Sequence, residues 1–128
     1  MTDQELLEAA ARAYGDPHIK PGQPDFTRWI GRNEDLGCDE MVRWNPLTDD
    51  GDALRLAVKL RMGVTHNDPR SERRYVRADA ALFVAPIFES FTADEEFEDE
   101  NERPAATRRA IVRAAAAMAH PTPTGVSA

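Results

Sequence analysis

The stretch "RWNPLTDDGDALRLAVKLRMG", residues 43 to 63, constrains this chain most, because it carries both ends of one helix in the middle of the sequence. Asn45 and Pro46 make a turn, and Thr48 or Asp49 caps the helix that follows. Asp49, Asp50 and Asp52 gather in the first turn, where free N–H groups and the helix dipole favour negative charge by roughly 0.3–1 kcal/mol each. Lys59 and Arg61 stand at the opposite end, with Gly63 as the stop. Ala53, Leu56, Ala57 and Leu60 line one face, and Leu54 and Val58 an adjoining one. That wide apolar arc predicts a well-buried helix.

The flanking sequence divides around it. Thr2 and Glu5 form a capping box, Leu6, Ala10, Ala13 and Tyr14 repeat at helical spacing, and Gly15 before Pro17 ends a helix over 3–14. From Asp16 to Arg43 the breakers Pro17, Pro21, Gly22 and Pro24 precede scattered apolar residues, and two short strands or a strand and a turn would fit. Beyond Gly63 the period changes. Val64 and His66 suggest a strand, "NDPRSE" a turn, and "RRYVRADAALFVAPIF" one or two further strands, with Pro86 confined to an edge, an end or a bulge. Pro104 suits the first turn of a last helix. Ala110, Ile111, Ala114, Ala115 and Met118 share one face of it, and Arg108, Arg109 and Arg113 its exposed side.

This order predicts one α+β domain over residues 1–120, a small mostly antiparallel sheet packed with about three helices. Residues 121–128 read as a disordered tail. "WNPLTDDGDALRLAVKL", together with the late "AATRRAIVRAAA" and the opening "MTDQELLEAAARA", resembles the phage ABA (alpha-beta-alpha) sandwich domain family of small bacteriophage and prophage proteins. The resemblance implies an alpha-beta-alpha sandwich and a phage or prophage origin; it implies no reaction. The chain departs from that pattern in the long "GDPHIKPGQPDFTRWIGRNEDLGCDEM" and in an acidic segment before the last helix.

Composition narrows the chemistry. No apolar run approaches the ~20 residues of a membrane span, and the N-terminus opens with acids where a secretory signal would carry a base, so a cytoplasm is the expected location, which the family resemblance implies is that of a bacterial host. Cys38 is the single cysteine, which fits a reducing compartment; with no nucleophile signature around it, it reads as a buried small hydrophobe. The three aspartates lack the alternate spacing of a calcium loop, and His18, His66 and His120 share no metal-binding spacing. Glycines are spread singly, so no phosphate loop forms. Arg70, Arg73, Arg74 and Arg77 are interrupted by Glu72 and read as a solvated hairpin face, not a direct nucleic-acid site. No enzyme activity, metal or cofactor is expected.

The charge is informative because it is local. Asp94, Glu95, Glu96, Glu98, Asp99, Glu100 and Glu102 account for the whole net charge of −7, since the remaining 16 acids balance the 16 Lys and Arg. Residues 92–103 read as a solvated acidic loop. With Phe91 and Phe97 as apolar anchors, those carboxylates would dock on a basic surface of a host protein, such as a nucleic-acid-binding defence complex. The expectation is therefore a non-enzymatic phage accessory protein that inhibits host defence in the manner of an anti-CRISPR. The alternative is a phage structural or assembly module that self-associates, or binds another phage protein, through the apolar strand Leu82 to Phe88.

Overall fold

The computed structural model describes residues 1–22, 25–84 and 86–119, without the side chains of Val84 and Ile87. Three helices, α1 (Asp3–Tyr14), α2 (Asp50–Lys59) and α3 (Arg103–Ala119), accompany six strands. The strands are β1 (Ile19–Lys20), β2 (Phe26–Asn33), β3 (Cys38–Trp44), β4 (Gly63–His66), β5 (Arg74–Val84) and β6 (Ile87–Phe97). The α+β class is as expected, but the strands make two antiparallel three-stranded sheets, β1-β2-β3 and β4-β5-β6, on either side of α2 in sequence. The anticipated tail and His120 lie outside the described residues.

α3 organises the core. Ala110, Ile111, Val112, Ala114, Ala115 and Ala116 are all buried, which leaves little of the helix for solvent. Its alanines let α1 approach on one flank and β5 and β6 on another, while α2 packs beside it. Alternation along the strands supplies the facing surface: Val76, Ala78 and Ala80 of β5 and Ala93 and Phe97 of β6 are buried. Trp44 at the end of β3 joins the first sheet to this core, with Phe26 and Tyr14 at ring centroid distances of 6.0 and 6.3 Å. The rest of β3 is exposed, so β2 and β3 form a solvated ribbon anchored at its base, and Cys38 is exposed on it, not buried.

The helix ends separate two cases. α1 has the expected capping box at Thr2 and Glu5 and ends at Gly15, whose φ of 75° suits a residue without Cβ. Asp49 caps α2 by accepting from the amide of Asp52 at 2.8 Å. Asp52 is itself buried and accepts from the Asn45 amide at 2.9 Å and from Arg55 at 2.7 Å, which ties the preceding turn to the helix. At the other end Gly63 is not the stop. Arg61, with φ 54°, reverses the chain, and Gly63 already belongs to β4. The wide apolar arc is also only half used: Leu56 is fully buried, whereas Leu54 and Val58 face outward.

Candidate functional site

The acidic segment is not a loop. β6 continues through Phe97, a single 3-10 turn spans Glu100–Glu102, and α3 starts at Arg103. Period-two geometry sorts its side chains onto two faces. Ala93, Glu95 and Phe97 turn toward α3, while Asp94 and Glu96 lie on the opposite face beside Arg77 and Tyr75 of β5.

Each face brings arginines to the acids. Arg77 donates to Asp94 at 2.7 and 3.1 Å, and Arg73 pairs with Glu96. Glu95 accepts from Arg113 at 2.8 Å and lies 3.7 Å from Arg109. Arg103 donates to both Glu100 oxygens at 2.8 and 2.9 Å, and Asp99 caps the 3-10 turn. The Arg77 hydrogen bond holds the Asp94 carboxyl below its ordinary value, and the Arg103 hydrogen bond does the same for Glu100. Glu98 and Glu102 are exposed, and neither forms an ion pair among the described residues. Phe97 is a core residue beneath Arg103, 4.6 Å from its guanidinium, and Phe91 is half-buried, so neither projects as an anchor. Of the arginines expected on solvated faces, Arg73, Arg74, Arg77, Arg109 and Arg113 are counterions of this segment, whereas Arg70 and Arg108 pair with Asp68 and Asp50.

A different surface is open. α2, β4 and α3 surround a hollow of about 550 Å³ whose walls are largely apolar: Ala53, Leu54 and Ala57 from α2, Val64 from β4, and Ile111 from α3. Leu54 and Val64 are exposed in this lining, and Val58, also exposed, lies one helical turn beyond Leu54 on α2. The rim of the hollow is polar and ordered. Arg108 donates to the Leu47 carbonyl and to Asp50, at 2.8 and 2.7 Å. Arg103 reaches Asn67 at 2.9 Å and His66 Nδ1 at 3.0 Å; because arginine only donates, Nδ1 accepts and a neutral His66 carries its proton on Nε2. Asn67, buried, also accepts the Tyr75 amide at 3.1 Å, which fixes the end of β4 against β5.

Sequence reasoning did not find this site, because it assigned Leu54 and Val58 to the core. The readable signal was the excess of apolar arc on α2 over what one neighbouring helix can cover. Asp49, Asp50 and Asp52 are engaged in a cap, an ion pair with Arg108 and the Asn45 turn respectively. No described helix is long and apolar enough to cross a membrane. A scan against protein-family models and searches of curated proteins and solved structures found no match.

Proposed function

We propose that the chain is a non-enzymatic binding module that holds a protein partner in the hollow between α2, β4 and α3, as an accessory protein of a phage or prophage. The observation that carries this reading is an apolar hollow with Leu54 and Val64 exposed in its lining, Val58 exposed one helical turn beyond Leu54, and a fixed polar rim. An apolar centre within a polar border is the composition of a protein interface. The phage setting is supported by the family resemblance, and a host defence complex would be one such partner. The acidic segment lends that target less support than its charge suggested, since Asp94, Glu95, Glu96 and Glu100 already have arginine partners.

A second reading, assembly with other phage proteins, is favoured by one observation. Leu82, Phe83 and Phe88 are exposed near the tip of the β5–β6 hairpin. The two readings separate in a capture experiment from lysates of the bacterial host, with and without phage induction. A partner lost with Leu54→Glu and Val58→Glu but kept with Phe83→Ser and Phe88→Ser supports the hollow. The reverse pattern would move the function to the hairpin, and a partner indifferent to both pairs would remove both surfaces.

A further inference from the structure

We infer that the hollow is a vacant strand lane, and that its occupant is one extended segment of another protein, with apolar side chains at alternate positions and basic residues at its flanks. The inference rests on the reading of the hollow as a protein site.

β4 is the open edge of its sheet, and all four of its residues are exposed. Its register opposes Gly63, Val64, Thr65 and His66 to Asp79, Ala78, Arg77 and Val76. The Asn67 amide donates to the Tyr75 carbonyl at 3.2 Å, so that pair is hydrogen-bonded across the strands. Antiparallel pairs alternate, which makes Thr65 and Gly63 the next bonded positions and turns the backbone groups of Val64 and His66 toward the open edge. The side chains of these same two residues line the hollow. A strand added here would meet free donors and acceptors along its edge, and its residues paired with Val64 and His66 would point into the apolar space.

Width argues for a single strand. Three strands about 4.8 Å apart cover less than two helices packed about 8–10 Å apart; here α3 packs on β5 and β6, while α2 packs on α3 and faces β4 across the hollow. One further strand would bring the sheet over Leu54. A second copy joining β4 to β4 would carry its own α2 into the same lane, so the overhang disfavours self-pairing. Charge sets the flanks. On the rim Asp50 is 82% exposed against 20% for its partner Arg108, and Glu100 is 58% exposed against 21% for Arg103. The hollow therefore presents carboxylates outward and keeps its arginines underneath, which suits lysine or arginine at the ends of the segment.

The test uses a synthetic peptide alternating valine and threonine between lysine ends, titrated into the whole protein by fluorescence anisotropy and by backbone amide exchange. The segment is inferred to run antiparallel to β4, as the strands of this sheet run to one another; valine is the inward residue, and in that pairing its N–H is the one that meets β4. Methylating the valine nitrogens should weaken binding at least ~10-fold, methylating the threonine nitrogens should not, and exchange should slow at Val64 and His66. The probe carries the change, so the protein's fold is untouched; Leu54→Glu should cost a similar factor. Equal loss from both methylated peptides, equal binding with glutamate ends, or no binding at millimolar peptide would overturn the inference. So would a concentration-dependent dimer that protects the same two amides without peptide. None of these outcomes alters the capture result on the Leu54 and Val58 variants, so a failed strand lane is distinguishable from a failed binding site.

Discussion

Two leucines two positions apart on α2 should behave as different residues. Leu56 is 0% exposed and Leu54 is 64% exposed, so Leu→Ala at each reports whether anything covers the outer face of the helix. At Leu56 the substitution removes a fully buried side chain and leaves a cavity among packed neighbours, for a cost of about 2–5 kcal/mol. At Leu54 about a third of the surface is buried, and a third of the ~1.5–3 kcal/mol for full burial is about 0.5–1 kcal/mol. Alanine's better helix propensity offsets a few tenths of that. Urea unfolding followed by circular dichroism, with the slope checked for constancy, gives both values. In a domain of this size about 1 kcal/mol moves the melting temperature by roughly 3–5 °C, so the pair should separate clearly in a thermal scan as well. A Leu54→Ala cost equal to that of Leu56→Ala, independent of protein concentration, would mean that the outer face of α2 is covered within the chain. The hollow and everything argued from it would then fall.

Other perturbations address the local geometry. Arg77→Ala should raise the Asp94 midpoint toward its ordinary value, read by carboxyl-carbon NMR titration, because the Arg77 hydrogen bond is the main cause of the depression. A depressed folded carboxylate stabilises above its unfolded value and loses that contribution as pH falls through the folded one, so the wild-type increment should vanish only in acid, below about pH 4. Arg61→Gly should stabilise by up to about 1 kcal/mol by relieving a positive φ that side chains disfavour, and a loss of stability on urea unfolding would mean the Arg61 side chain matters more than its backbone. Thr2→Ala should cost about 1 kcal/mol through the lost cap, measured as amide exchange in the first turn of α1.

What the sequence disclosed follows from the range of the interactions involved. α1 was legible at both ends because Thr2, Glu5 and Gly15 act within a few residues of themselves. The start of α2 was legible for the same reason. Its end was not, because the left-handed residue that closes the helix is Arg61, two positions before the glycine that local preference would choose. The division into two sheets depends on which strands pair, and nothing in residues 26–44 or 63–97 states that locally. The acidic segment was misread for an avoidable reason. Ala93, Glu95 and Phe97 alternate with Asp94 and Glu96 in a period of two, and the run of charge obscured it. Apart from Arg103, which directly follows the run, the arginines that neutralise it are at a distance in sequence, Arg73, Arg74 and Arg77 at or within β5 and Arg109 and Arg113 on α3, and only the register brings Arg77 opposite Asp94.

That pairing changes how charge should enter any binding experiment. Reversing Glu95, Glu96, Glu98 and Asp99 to lysine together would place like charges beside Arg73, Arg109 and Arg113 and remove the cap of the 3-10 turn. Lost binding in such a variant would report a disturbed fold. Reversal of Glu98 and Glu102 leaves every ion pair of the segment in place and still changes the field by the same amount per residue. Because exposed charges are screened beyond about 8 Å at physiological ionic strength, their reversal should slow association at low salt and do little at high salt. The dissociation rate should instead follow the apolar contacts at Leu54 and Val64, since desolvated centres hold a complex while rim charges guide it. A variant series in which Glu98 and Glu102 set the association rate and Leu54 sets the dissociation rate would assign the two roles to separate parts of the molecule.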